Sequence, residues 1–163
     1  MKVGIMSDSH DSIKNIKKAL SLFRSVGVEY VIHAGDLISP FCVELFSDFK
    51  DHFYICNGNN IGDTKLVKER VEKIGIFFDD VGEFIIGNKR FALYHGTNKI
   101  ITDALLNSNN YDYVIVGHTH KKMLKKYNNT LLINPGETFG DLFGVATIAI
   151  LDLTTNKVEF HKI

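Results

Sequence analysis

The stretch Tyr113-Val114-Ile115-Val116-Gly117-His118-Thr119-His120 decides the fold reading. Its opening apolar run, rich in β-branched residues, is too short for a helix and reads as a buried strand. The chain then turns at glycine and presents two imidazoles. The same grammar recurs at four other places. Val3 to Met6 leads into Asp8 and His10, and Tyr30 to Ile32 leads into His33, Gly35 and Asp36. Phe53 to Cys56 leads into Asn57, Gly58, Asn59 and Asn60, and Arg90 to Tyr94 leads into His95 and Gly96. In open α/β sheets ligands bind beyond the carboxyl ends of strands, so these five loops should converge. The glycines let each loop fold tightly around a small centre.

Between these strands the period changes. Ile13, Ile16, Leu20, Phe23 and Val26 recur at helical spacing, and Gly27 can stop that helix. Ser39-Pro40 is a helix start, with serine as cap and proline at the first helical position. Asp63 to Ile74 reads as a helix closed by Gly75, and Lys99 to Asn109 as a shorter one over Ile100, Ala104 and Leu105. Hairpins are expected at Val81–Ile86 with Arg90–Tyr94, at Lys122–Tyr127 with Thr130–Ile133, and at Val145–Leu153 with Lys157–His161. Strand–helix alternation followed by hairpins gives an α/β class: a mixed sheet, or two packed mixed sheets, with helices outside.

Length and composition bound the rest. The 163 residues, 45% hydrophobic with two prolines and no repeat, fit one domain over 1–163. Nineteen basic residues balance nineteen acidic ones, so no long-range field draws the chain to nucleic acid or an anionic membrane. No apolar run approaches the roughly 18 residues of a membrane span, and Met1 to Met6 is too short and turns polar too soon for a signal peptide. Cys42 and Cys56 make no disulfide framework. A cytoplasmic protein is the expectation.

Asp8, His10, Asp36, Asn59, His95, His118 and His120 are oxygen and imidazole donors without a thiolate, a set suited to Mn, Fe, Co, Ni or Zn. Taken singly, Asp8 fits a helix cap, Asp36 and Asn59 fit turns, and His95 fits a strand end. Together they are too many for one open metal site and suit two cations sharing a carboxylate. Two divalent ions carry more charge than Asp8 and Asp36 return, which leaves a centre able to bind phosphate and stabilise hydroxide.

The strings Asp8-Ser9-His10, Gly35-Asp36, Gly58-Asn59, His95-Gly96 and Gly117-His118-Thr119-His120, followed by Asn134-Pro135-Gly136, resemble the calcineurin-like metallophosphoesterase family in order and spacing. The size is similar to its compact bacterial and archaeal phosphodiesterases. The resemblance implies an α/β/β/α sandwich and a metal-dependent phosphodiesterase in which a metal-bridging hydroxide attacks phosphorus. It assigns Asp8, His10 and His120 to one ion, Asn59, His95 and His118 to the other, and Asp36 to both. The expected cofactors are two divalent transition-metal ions, manganese foremost, with nickel, iron, zinc or cobalt as alternatives.

Two departures stand out. Many family phosphatases carry histidine after the metal-binding asparagine; here it is Asn60, which cannot be a general acid but can donate to a phosphoryl oxygen. Glu137 follows Asn-Pro-Gly where relatives often have a small hydroxyl residue, and no role is evident for it. Catalytic roles are expected for Asp36, His10 and Asn60, on a small phosphoester substrate. His33 should pack beneath the site as a hydrogen-bond partner, His52 and His161 should lie on the surface, and Asn98 with Asn134 to Gly136 should line the mouth. Phe139, Leu142, Phe143 and the strand edges allow a homodimer contact. The alternatives are a protein-interaction scaffold with a degraded metal site, as in a retromer subunit of this fold, and a nuclease of the same superfamily. The complete donor set argues against the first, and the absent basic excess against the second.

Overall fold

A computed structural model describes all 163 residues as two stacked β-sheets with helices on both outer faces. The first sheet has the order β11-β10-β1-β2-β3-β4. Its strands are β1 (Lys2–Met6), β2 (Tyr30–His33), β3 (Phe53–Cys56), β4 (Gly75–Phe78), β10 (Thr147–Asp152) and β11 (Lys157–Lys162). The second has the order β5-β6-β7-β9-β8. It comprises β5 (Gly82–Ile86), β6 (Lys89–Leu93), β7 (Tyr113–Ile115), β8 (Lys122–Tyr127) and β9 (Thr130–Pro135). Strands β1 to β4 run parallel, as do β6, β7 and β9. The remaining pairs are antiparallel.

Side-chain alternation splits the core into layers. Val3 and Ile5 of β1 face the second sheet and pack with Ile32, Phe91, Leu93, Ile115 and Ile133. Met6 and Val31 face the other way, onto Ile16, Leu20 and Phe23 of α1 (Ile13–Ser25) and onto Phe46. The second sheet covers its outer face with Leu106 of α4 (Lys99–Asn107), packed against Val114, Val116 and Leu132. The expected helix–sheet–sheet–helix layering is therefore present.

Four local expectations need correction. Proline does open α2 (Pro40–Val43), but that helix lasts one turn before a 3-10 segment over Glu44–Phe49, and the Ser39 hydroxyl bonds Asp11 instead of capping it. Helix α3 (Thr64–Val71) is capped by Asp63, whose carboxylate accepts from the Leu66 amide at 3.0 Å. It ends earlier than expected, because Gly75 opens strand β4 along β3 and Phe77 is needed in the core. In α4 the buried residue is Leu106, while Ile100 projects into solvent, since only the last turns reach the sheet. His161 is half-buried beside Glu159.

Candidate metal centre

The parallel strands of both sheets end on one rim, and the singled-out residues follow them. Asp8 and His10 follow β1, Asp36 follows β2, Asn59 and Asn60 follow β3, His95 follows β6, and His118 and His120 follow β7. The loops turn sharply. Asp8 (φ 50°), His10 (40°), Asp36 (61°), His118 (66°) and His120 (58°) all occupy the left-handed region, which few residues other than glycine enter and which stores strain where it occurs. Backbone bonds between loops hold these turns: Asp8 donates to the Gly35 carbonyl at 3.0 Å, His10 to the Asp36 carbonyl at 3.0 Å, and Gly117 to the His95 carbonyl at 2.8 Å. The loops also approach too closely for side chains at several glycines, Gly58 and Gly117 among them. A Cβ on Gly58 would collide with the Asp36 carboxylate, and one on Gly117 with the Ser7 hydroxyl.

The donors fall into two groups. Ligand atoms of Asp8, His10, Asp36 and His120 lie within 4.8 Å of one another. His120 Nε2 is 3.2 Å from Asp8 Oδ1, and His10 Nε2 is 3.6 Å from Asp36 Oδ2. In the second group, Asn59 Oδ1 sits 2.9 Å from His95 Nε2 and 2.8 Å from His118 Nδ1. Asp36 stands between the groups, with Oδ1 3.5 Å from His95 Nε2. All seven expected donors thus meet in one place.

Burial and neighbours push the two carboxylates apart. Burial raises the Asp8 carboxyl above its ordinary range, against the hydrogen bond from Ser7 and the nearby His95 and His120 rings. Burial acts on Asp36 in the same sense, but hydrogen bonds from His95 and from Asn60 outweigh it and hold that carboxyl well below the usual range. His95 is buried, which alone would lower its pKa; Asp36 and the Ala34 carbonyl at 2.6 Å from Nδ1 reverse this and raise it. Opposite shifts on adjoining buried carboxylates mark a site whose charge is set by its surroundings.

The donor set fits divalent cations. Asp8 Oδ1 and His10 Nε2 are buried without a hydrogen-bond partner, a state that is unfavourable unless something else satisfies them. Both belong to the four-residue group just described. A carboxylate oxygen and an imidazole nitrogen aimed at one point, with no proton donor between them, are what a cation would collect.

Of the other residues, His33 takes the buried, hydrogen-bonded place expected of it, while Asn60 and Glu137 have partners the sequence did not suggest. Asn60 spends its backbone N–H (2.9 Å) and its side-chain amide (2.6 Å) on the Asp36 carboxylate. His33 is fully buried, with Nε2 3.0 Å from the Ser9 hydroxyl. Asn98 caps α4 through the Ile100 amide, and Asn134 is buried, donating to the Gly117 carbonyl at 2.7 Å. Both therefore brace loops, and Asn134 also lines a pocket with Gly96, Gly117 and Thr119. Leu142 and Phe143 are exposed, while Phe139 packs edge-on against His10. Sequence reasoning left Glu137 without a role; its Oε2 accepts from His120 Nδ1 at 2.7 Å. Its departure from the small hydroxyl residue of relatives was the signal. Ser7, whose hydroxyl donates to Asp8 Oδ2 at 2.6 Å, was missed because serine after a strand is common.

Comparison with known proteins gives concordant similarities. The family model for the calcineurin-like phosphoesterase superfamily domain matches residues 1–156. Phosphodiesterase MJ0936 of Methanocaldococcus jannaschii is 39% identical over 165 residues, covering 100% of this chain and 98% of that protein. The solved structure of an archaeal phosphodiesterase superposes with a TM-score of 0.94 at 36% identity, with both chains covered completely. Vacuolar protein sorting 29 from Cryptosporidium parvum gives 0.67 at 20% identity over 99% of this chain and 96% of that one, a likeness of fold alone.

Proposed function

The chain belongs to the calcineurin-like phosphoesterase superfamily, and from that membership we propose that it is a metal-dependent phosphodiesterase acting on a small phosphodiester. We assign Asp8, His10 and His120 to one divalent ion, Asn59, His95 and His118 to a second, and Asp36 to both. Manganese is the ion we expect, in one domain spanning residues 1–163. When bound, such ions polarise the phosphoryl oxygens and lower the pKa of an attacking water towards neutrality. The observation that carries this reading is the pair of buried, unpartnered atoms, Asp8 Oδ1 and His10 Nε2, inside a converging donor set.

The chain's own groups divide the remaining work. Asp36 stays ionised because hydrogen bonds from His95 and from Asn60 outweigh the cost of burial, so a negative charge is available between the ion positions at neutral pH. The Ala34 carbonyl holds the His95 ring through Nδ1 and thereby turns Nε2 towards Asn59 and Asp36. Asn60 carries no transferable proton. General acid catalysis typically contributes ~10²–10⁴-fold, so a chain without it at this position favours esters whose leaving groups are already acidic. Aryl diesters and activated nucleotide diesters belong to that class.

A scaffold role leaves the seven donors and two unpartnered buried atoms without purpose. A nuclease role lacks a basic surface excess. No helix is long and apolar enough to cross a membrane; with two free buried cysteines, we assign the chain to the cytoplasm. The test is a panel of bis-p-nitrophenyl phosphate, p-nitrophenyl phosphate and cyclic nucleotides, with manganese, with chelator, and with the Asp36→Ala variant. Diesterase activity should require metal, and Asp36→Ala should lose most of it together with metal from both positions. A variant of full activity and unchanged metal content would overturn the assignment.

A further inference from the structure

Glu137 is fully buried in the turn after β9, and no lysine or arginine pairs with it. Both of its carboxylate oxygens are nevertheless occupied. Oε2 accepts from His120 Nδ1 at 2.7 Å, and Oε1 accepts from the Phe143 backbone N–H at 2.8 Å. The main chain around it is tied to the first metal loop. Thr138 donates to the Ser7 carbonyl at 2.8 Å, Phe139 donates to the Asp8 carbonyl at 3.0 Å, and the Glu137 carbonyl accepts from Thr147 at 2.8 Å. The side chain therefore starts from a fixed point beside Asp8 and reaches a proposed ligand and a rim loop at once. A serine or threonine in its place is too short to span both.

We propose that Glu137 is a positioning residue of the metal centre. Its carboxylate holds the His120 proton on Nδ1, so that Nε2 faces Asp8 Oδ1 as a free ligand, and it ties the 139–144 loop to the same ring. The inference rests on the metal reading above and deepens it. The histidine ring is held at Nδ1 by Glu137, while Nε2 lies 3.2 Å from Asp8 Oδ1, an oxygen without a hydrogen-bond partner. A carboxylate behind a ligand imidazole fixes its tautomer and strengthens it as a donor. Because the other arm of Glu137 ends on Phe143, whose ring centroid lies 6.1 Å from that of His120, the same carboxylate sets where an exposed aromatic stands beside the site. Lys121 Nζ lies 5.6 Å from that aromatic ring.

The test compares wild type with Glu137→Gln, which keeps the shape, and Glu137→Ser. Metal-free protein is read by nitrogen-resolved NMR of the His120 tautomer and by hydrogen exchange of the Phe143 amide. Manganese binding is then followed by calorimetry. Wild type should hold the Nδ1–H form. Both variants should mix tautomers, speed Phe143 exchange, and weaken one of the two manganese sites by roughly 10–100-fold, leaving the other unchanged. Variants with wild-type manganese affinity and an unchanged His120 tautomer would overturn the inference alone. Wild-type protein that takes up no manganese would overturn the metal reading, and the metal-free measurements would still decide whether Glu137 orients His120.

Discussion

His33 makes the metal-free fold acid-sensitive in a way that can be worked out in advance. Its ring lies at the end of β2 under the site, edge-on to Phe46 and with no accessible surface. Ser9 donates its hydroxyl proton to the Asp36 carbonyl (3.3 Å), so the neutral ring donates from Nε2 to the Ser9 oxygen, and Nδ1 has no partner. Burial pushes its pKa down from 6.5 to about 3. The folded chain thus refuses a proton that the unfolded chain accepts below about pH 6.5. Stability from this residue is complete above that pH and is lost as pH falls towards 3, at about 1.4 kcal/mol per pH unit. Allowing for half-titration of the unfolded chain at the start, the loss between pH 6.5 and 4.5 is about 2–3 kcal/mol, or roughly 5–10 °C in Tm for a chain of this size. His33→Gln keeps a donor to Ser9 and removes the titration. Thermal unfolding of chelated wild type and variant across this window should diverge by that amount, the wild type falling faster. The shifted groups Asp8, Asp36 and His95 are present in both proteins and cancel in the comparison. Parallel curves would refute the reasoning.

Two further perturbations address the loops themselves. Asn60→His should raise monoester relative to diester hydrolysis, measured as the ratio of the two p-nitrophenyl substrates, and should loosen Asp36 by removing the 2.6 Å amide contact; an unchanged ratio means position 60 does not reach the leaving group. His118 holds φ 66°, a conformation that costs a non-glycine residue about 1–2 kcal/mol. After the extra chain entropy of glycine is set against this, metal-free His118→Gly should be more stable than His118→Ala by about 0.5–1 kcal/mol. Both should be inactive, and equal denaturation midpoints would show that the turn is unstrained.

The sequence disclosed what periodicity and strong local chemistry encode. Uninterrupted apolar runs such as Tyr54-Ile55-Cys56 and Val114-Ile115 located the buried parallel strands, and the loops after them carried donors because ligands gather at strand ends. It misled where a local signal competed with tertiary packing. Gly75 looked like a helix stop, yet Ile76-Phe77-Phe78 pairs along β3. Ser39 looked like a cap until Asp11, 28 residues earlier in the chain, took its hydroxyl. The left-handed turns at Asp8, Asp36 and His118 had no signature either, since the strain there is held by bonds between distant loops. Glu137 was visible only as an oddity; its meaning depends on two partners, one 17 residues before it and one in the loop after it.

The division of the proposed ligands between the sheets explains why the whole sandwich is needed. Asp8, His10, Asp36 and Asn59 come from loops of the first sheet, and His95, His118 and His120 from loops of the second. The proposed first ion takes Asp8, His10 and Asp36 from one side but His120 from the other. The second takes Asn59 and Asp36 from one side, with His95 and His118 from the other. Neither sheet alone offers a full set for either ion. The separation of the two half-sites is therefore fixed by the layer of Val3, Ile5, Ile32, Phe91, Leu93 and Ile115 between the sheets, a close-packed region that resists small displacements. Bonds across the gap tighten that setting, since His118 donates its backbone N–H to Asp8 Oδ2 at 3.0 Å and the Ala34 carbonyl holds His95. Core packing and ligand geometry are thus one constraint, and the polar rim can afford strained turns because the apolar layer beneath leaves the loops nowhere else to go.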